Sequence, residues 1–338
     1  MGKNIVNVAL FGLGRIGQMH AENLISHPKF NLIYVYDLNQ KLSNKMSNKF
    51  KCVNLKNPDI AMKDKKVDVI FIATSTSTHL KFITSAVKNK KFVFCEKPLD
   101  LNLKKIEKCR NVIKKYNPKI QIGFNRRHDP GHNLLKKNLV KGKIGKLEKI
   151  IITSRDPAPP SLKYLKSSGG IFKDMMIHDF DLARYYAGKD EFESIFATGS
   201  NLHDKKFNKI KDFELASCVL KTKKGIQCII TNSRHCSFGY DQRVELFGSK
   251  GMLISDNKRE TETKIYSGNS TNIKSKFLNF FIERYSEAYK LQLNDLFKMC
   301  AKKIKPRANF EDGRKSLVLA QKAIESTKSR KFEKIKLI

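Results

Sequence analysis

The stretch Ile5-Val6-Asn7-Val8-Ala9-Leu10-Phe11-Gly12-Leu13-Gly14-Arg15-Ile16-Gly17 decides the fold. A run of apolar residues with strand character ends in a GxGxxG turn, and the helix-like segment Gln18–Ser26 follows at once. A second apolar run, Leu32–Tyr36, closes on Asp37, twenty positions after Gly17. A strand, a glycine turn, a helix and an acid at this distance form the dinucleotide-binding fingerprint. Gly12 allows the tight turn, Gly14 lets a pyrophosphate approach the backbone, and Gly17 lets the helix pack on the strand. The helix N-terminus offers free N–H groups and partial positive charge to phosphates. A carboxylate at Asp37 accepts from ribose hydroxyls and opposes a 2′-phosphate, so NAD is expected rather than NADP.

Outward from this stretch the pattern alternates. Val67–Ala73 reads as a buried parallel strand and runs into the hydroxyl-rich loop Thr74-Ser75-Thr76-Ser77-Thr78. A helix is predicted over His79–Asn89, a strand over Phe92–Cys95, a helix over Leu103–Tyr116 and a last short strand over 120–123. Strand–helix alternation implies a doubly wound parallel sheet with ligands at the strands' C-terminal ends. After a helix near Pro130–Lys141 the character changes. Strand-like runs at Leu147–Ser154, Phe192–Ser200, Ala216–Leu220, Ile226–Ser233, Arg243–Phe247 and Met252–Ser255 are separated by turn signals such as Lys224-Gly225. Helices are expected at 174–187, 282–302 and 312–326. The fold class is therefore α/β: an N-terminal Rossmann domain (1–123), then an α+β domain (124–338) on a large, mostly antiparallel open sheet. No internal repeat or low-complexity linker is evident.

Composition narrows the function classes. The 338 residues suffice for two domains with a large core. The formal net charge is +35, yet only 13 of the 67 basic residues are Arg and the 54 Lys are spread along the chain. Lys, Asn and Ile share A/T-rich codons, so compositional bias accounts for the charge. Nucleic-acid readers rely on Arg and on local clusters, so no nucleic-acid partner is expected, and the basic segment Lys328–Phe332 reads as a solvated end. Seven cysteines without a CxxC pair argue for reduced thiols in the cytoplasm rather than a disulfide framework or a zinc site. The N-terminus lacks a signal-peptide layout, and no apolar run is long enough to span a membrane. No metal site is expected; His20, His27, His79, His128, His132, His203 and His235 are scattered.

Two further constellations carry chemistry. Glu96-Lys97-Pro98 follows a strand at the cofactor edge of the sheet, where a lysine points toward the nicotinamide end, and a cis bond to Pro98 would fix its aim. Asp174 and His178 lie four apart at the start of a predicted helix, hence on one face. There a carboxylate orients the imidazole and stabilises its protonated form, as removal of a hydroxyl proton requires. Around these, dinucleotide contacts are expected at Gly12, Gly14, Arg15, Ile16, Gly17, Asp37, Thr74, Ser75, Thr76, His79, Glu96 and Lys97.

These motifs, together with Gly123–Arg127, Ser154-Arg155-Asp156-Pro157-Ala158-Pro159-Pro160 and Tyr240–Gly248, make nearly the whole chain resemble the Gfo/Idh/MocA oxidoreductase family. The 154–160 and 174–181 runs point to its inositol-oxidising branch. The resemblance implies NAD-dependent oxidation of a ring hydroxyl of a cyclic polyol, foremost myo-inositol to its 2-ketone, scyllo-inosose. Another inositol isomer, an inosose or a pyranose is the alternative. A non-catalytic dinucleotide sensor is the reading from a different class, and the joint presence of Lys97, Asp174 and His178 argues against it. By the same resemblance Lys97 binds the reacting hydroxyl, His178 takes its proton and Asp174 holds His178. Asn125, Arg127 and Asp156 hold other ring hydroxyls, with Tyr240 and Tyr285 near the pocket. For Arg127 a structural carboxylate, and for Asp156 a turn before Pro157, are the competing readings. His128, where relatives commonly carry an aromatic, and Lys173, a charge beside the base, are departures that bear on ring stereochemistry. The resemblance also implies a homotetramer or homodimer.

Overall fold

The computed structural model describes residues 4–302 and 304–337; the outermost ends of the two expected domains and Lys303 lie outside them. It divides into two units, Met1–His128 with Glu287–Arg314, and Asp129–Ser286 with Lys315–Ile338. The sequence pattern marks one division, after residue 123. In the structure the chain crosses after residue 128, and residues 287–314 return to the first unit.

Six parallel strands form the sheet of the first unit: β1 (Val6–Phe11), β2 (Phe30–Tyr36), β3 (Val53–Asn54), β4 (Val69–Ile72), β5 (Phe92–Cys95) and β6 (Ile120–Ile122). Their order is β3-β2-β1-β4-β5-β6, the arrangement of a dinucleotide-binding sheet. The central strands are largely apolar because helices cover both faces: Val8, Ala9, Leu10 and Phe11 in β1 and every residue of β4 are fully buried. The returning helix Ser286–Lys302 completes this core with Leu293, Leu296, Met299 and Cys300. Past it, the Ala308 carbonyl accepts from Ile122 N–H at 3.0 Å and covers the edge of β6. An exposed edge strand is thereby closed by the chain itself.

The second unit holds a seven-stranded sheet. It comprises β7 (Leu147–Arg155), β8 (Phe192–Ser200), β9 (Leu215–Thr222), β10 (Gln227–Ser233), β11 (Asp241–Gly248) and β12 (Gly251–Ser255), with the short hairpin β13 (Lys264–Ser267) and β14 (Ser270–Lys274) apart from it and β15 (Glu333–Lys334) at the edge. All pairings are antiparallel except β7 with β10. Side chains alternate: Ile150, Ile152 and Ser154 of β7 face the covered side and Ile151 and Thr153 the other. The covering helix Ile177–Ala187 is buried at most of its positions.

The segment expected to be one helix over 174–187 is two. A short helix, Gly170–Asp174, ends at Asp174, and the next begins at Ile177. At the junction the N–H groups of both Met175 and Met176 bond back to the Ile171 carbonyl, and His178 N–H reaches only to Met175. Met175 and Met176 keep right-handed helical dihedrals, so the chain makes a widened turn here, with Asp174 closing one helix and His178 near the start of the next.

Candidate functional site

The first unit carries the glycine turn after β1. Gly12 has φ +91, and a Cβ there would lie 2.4 Å from the Ala73 carbonyl oxygen at the end of β4. A Cβ on Gly17 would fall 1.9 Å from the Gly12 carbonyl oxygen, so helix and strand pack backbone to backbone. At Gly14 nothing lies within 4 Å of the same position, and its φ of −61 suits any residue. Its lack of a side chain is thus not demanded by the fold. Open space over the N-terminus of helix Arg15–Ser26 is the cradle that a pyrophosphate needs.

Asp37 closes β2 beside this turn. Its Oδ2 accepts from Leu13 N–H (2.7 Å) and its Oδ1 from Asn39 N–H (2.8 Å). Each carboxylate oxygen keeps a further lone pair for a ribose hydroxyl. The acid therefore holds the glycine turn in place with acceptor capacity to spare.

The loop after β4 is half-buried at Thr74 and Thr76 and exposed at Ser75. Thr74 and Thr78 hydroxyls bond each other at 2.7 Å where helix Thr76–Lys88 starts. His79 is 1 % exposed, and its ring nitrogens meet the carbonyls of Pro98 (2.8 Å) and Thr74 (3.0 Å). Burial holds this imidazole below its usual pKa against two carbonyls that favour protonation. His79, expected at the cofactor, ties the loop after β4 to the loop after β5.

That second loop carries Glu96 and Lys97, and the Lys97–Pro98 bond is cis. Glu96 Oε1 lies 2.7 Å from Nε2 of fully buried His20, in the first helix, and Oε2 accepts from Lys97 N–H at 3.2 Å. Gly123 leaves room for this carboxylate, since a Cβ there would sit 2.9 Å from it. Arg15, Ile16 and the glycines lie at the C-terminal end of β1, and Lys97 follows the C-terminal end of β5. The sheet thus brings the expected cofactor residues of the first unit to one edge.

Asn125 and Arg127 stand in a buried turn, Asn125–His128, beyond β6. The Arg127 guanidinium bonds the Arg307 carbonyl and lies 3.1 Å from Asp312 Oδ1. Those contacts serve the returning segment, as the structural reading of Arg127 requires. His128 is 2 % exposed, and burial, with Arg307 and Arg127 nearby, lowers its pKa to about 3.

In the second unit β7 and β10 run parallel, with Arg155 opposite Ser233. The next residue of each strand is a charged one, Asp156 and Arg234, so the pairing delivers an acid and a guanidinium to the same edge. Asp156 N–H donates to the Ser233 carbonyl (2.9 Å) and Arg234 N–H to the Glu214 carbonyl (2.8 Å). Arg234 Nη1 lies 2.9 Å from Asp174 Oδ2 and 3.8 Å from Asp156 Oδ2. The other Asp174 oxygen accepts from the Tyr164 hydroxyl at 2.7 Å. Burial works against the Arg234 charge, but Asp174 and Asp156 outweigh it and raise its pKa. Burial and the Asp174 charge push the Tyr164 phenol well up. Although Tyr164 as a residue is 47 % exposed, its hydroxyl is taken up by Asp174.

His178, half-buried, opens helix Ile177–Ala187, and its neighbour Asp179 locks that helix to the same two strands. Asp179, fully buried, accepts from Ser154 Oγ (2.7 Å) and Asn232 Nδ2 (2.9 Å), two residues before Asp156 and Arg234 respectively. Asp156, Asp174 and Arg234 thus form one cluster, and His178 stands beside Asp179 at the start of the helix that Asp179 fixes to the same strands. Tyr240 and Tyr285 are nearly buried and meet edge to face, centroids 6.2 Å apart. Sequence reasoning missed Arg234, Tyr164 and the His20–Glu96 pair. A charge directly after the apolar run Cys228–Ser233 was the readable signal for Arg234.

Residues 6–124 match the family described as "Oxidoreductase family, NAD-binding Rossmann fold", and residues 132–254 match the "GFO/IDH/MocA C-terminal domain". The chain is 41 % identical to Myo-inositol 2-dehydrogenase of Thermotoga maritima over 334 residues, covering 98 % of this chain and 99 % of the relative. The crystal structure of a myo-inositol dehydrogenase from Corynebacterium glutamicum superposes with a TM-score of 0.95 at 37 % identity, covering 98 % of this chain and 99 % of that one. That of scyllo-inositol dehydrogenase from Lactobacillus casei, with bound NAD(H) and scyllo-inositol, gives 0.89 at 26 % identity, with the same coverage.

Proposed function

The chain belongs to the Gfo/Idh/MocA oxidoreductase family, and we propose that it oxidises a ring hydroxyl of an inositol to the ketone with NAD as acceptor, myo-inositol to scyllo-inosose being the foremost reaction. The supporting observation is that one chain, alike over nearly its full length to inositol dehydrogenases, carries both the glycine turn open at Gly14 and an Asp174 carboxylate braced by Arg234 and Tyr164, four residues before His178.

The turn and Asp37 would hold NAD, which supplies a hydride acceptor when bound. The chain's own residues do the rest. Lys97 binds the reacting hydroxyl and stabilises the developing alkoxide. His178 takes the hydroxyl proton, and Asp174 favours the imidazolium that results. Desolvated ring hydroxyls each need a partner, and Asp156, Asn125 and Tyr240 are suited to supply them. Arg127 Nη1 bonds the Arg307 carbonyl and Nη2 lies beside Asp312, so its part is to support the turn that carries Asn125.

The sheet face opposite the covering helices presents Val219, Phe247, Met252 and Ile254, each more than 40 % exposed. An apolar sheet face of this kind suits contact with further copies, which supports a homotetramer or homodimer. Seven free thiols support a cytoplasmic location. Among the described residues no helix is long and apolar enough to cross a membrane.

NADH formation by the purified protein, across inositol isomers and pyranose sugars, tests the reading and decides the isomer. Turnover on an inositol above all pyranoses is expected. Absence of turnover on every inositol, with NAD bound, would overturn it.

A further inference from the structure

Arg234 is 1 % exposed, and a guanidinium is rarely so buried unless it is paired. Its Nη1 serves Asp174, while Nε and Nη2 have no hydrogen-bond partner among the described residues. A buried cation with two unserved donors is costly to the fold. Nothing about the sheet requires one: Asp179, Ser154 and Asn232 already join the helix to β7 and β10. The backbone on both sides is fixed, by Arg234 N–H on Glu214 and by Asp156 N–H on Ser233. The guanidinium therefore has one direction, between the two carboxylates that the reaction uses.

We propose that Arg234 is a positioning residue of the oxidation: as a buried counter-ion it pins the Asp174 carboxylate, with Tyr164 on the other oxygen, and lets Asp174 and Asp156 stand side by side as anions facing the polyol. This rests on the reading that Asp174 and His178 serve the ring oxidation. Without the guanidinium, two carboxylates close together repel, and one takes up a proton. A protonated Asp174 no longer stabilises a charged His178. Tyr164 from helix Leu162–Ser168 and Arg234 after β10 contact Asp174 directly, Asp156 after β7 shares Arg234 with it, Lys173 precedes it on its own helix and His178 stands in the following one. Asp212 adds to the charge felt by Arg234.

The test compares the full-length wild type with Arg234→Gln, Arg234→Lys, Asp174→Asn and the double variant Asp174→Asn/Arg234→Gln, each assayed for kcat/KM against pH and for NAD affinity. Arg234→Gln is expected to lose about a hundredfold in kcat/KM, to move the acid limb up by about one pH unit and to keep NAD affinity. Arg234→Lys, which keeps the charge without the fork, is expected to leave the acid limb in place and lose about tenfold. The double variant should be no slower than Asp174→Asn, because Arg234 acts through Asp174. A wild-type pH profile with kcat/KM within twofold in Arg234→Gln would overturn the proposal. If Arg234→Gln does not fold, wild-type kcat/KM in Arg234→Lys would overturn it, as would additive losses in the double variant. Wild-type turnover in Asp174→Asn would instead overturn the reading of Asp174, and the proposal with it.

Discussion

Replacing Asp37 with alanine removes two jobs of one carboxylate, and the structure sizes both. The first is internal: Oδ2 accepts from the N–H of Leu13 at 2.7 Å, and Leu13 is fully buried within the glycine turn. Hydrogen bonds to a charged group contribute about 1.5–3 kcal/mol, so the turn loses its preset shape at that cost. The second is external: ribose hydroxyls lose their acceptor, at a similar cost. Taking about 3 kcal/mol for the part expressed in NAD binding, affinity falls about 150-fold. NADP suffers the same loosening of the turn but is relieved of repulsion between the carboxylate and its 2′-phosphate. Its affinity is therefore expected to stay within a few fold. Titration calorimetry with each dinucleotide reads the two constants separately, and the NAD/NADP preference should collapse by about two orders of magnitude. Asp37→Asn, which keeps an acceptor for Leu13 N–H, should fall in between. Unchanged NAD affinity and an unchanged preference in Asp37→Ala would refute the reasoning, for then neither hydrogen bond bears on the nucleotide.

Other expectations follow from the same geometry. Gly14→Ala has free space and should keep the wild-type Tm while losing NAD affinity, whereas Gly17→Ala drives a Cβ into the Gly12 carbonyl and should cost about 3 kcal/mol or more in thermal unfolding; equal effects at the two glycines would contradict the assignment of Gly14 to the phosphates. Lys97→Ala should keep NAD affinity and lose about 10²–10⁴ in kcat, and wild-type turnover in that variant would remove Lys97 from the chemistry. His128 has a folded pKa of about 3 against an ordinary 6.5. Below the ordinary value the unfolded chain binds a proton that folded His128 does not, so stability falls by about 1.4 kcal/mol per pH unit as pH drops through that window, and above it this group has no effect. His128→Phe should therefore resist acid unfolding better than wild type, and coincident acid unfolding curves would show that His128 does not drive the loss.

Much of this architecture was readable because its residues obey local rules. The apolar runs of β1 and β4 are buried on both faces, and the alternation of β7 is legible at Ile150, Ile152 and Ser154 against Ile151 and Thr153. Other features depend on partners that local pattern cannot see. Helix Gln40–Phe50, for which the sequence pattern raised no expectation, is polar and Lys-rich, and its start is capped by the Asn39 side chain accepting from Leu42 N–H. No proline or glycine separates Asp174 from His178, so nothing local announces the helix break. Arg127 looks suited to hydroxyls until Asp312 and Arg307 come back along the chain to meet it. Arg234 gained its place from the parallel pairing of β7 with β10 inside an otherwise antiparallel sheet, a choice that strand periodicity does not disclose.

The central claim concerns where the hydride comes from. Incubating the protein with NAD and myo-inositol deuterated at ring carbon 2, and weighing the reduced dinucleotide by mass spectrometry, tests it in one step. NADH one mass unit heavier than the unlabelled product is expected, formed more slowly than with protiated substrate. Unlabelled NADH, or no NADH with NAD bound and myo-inositol present, would contradict oxidation at that carbon.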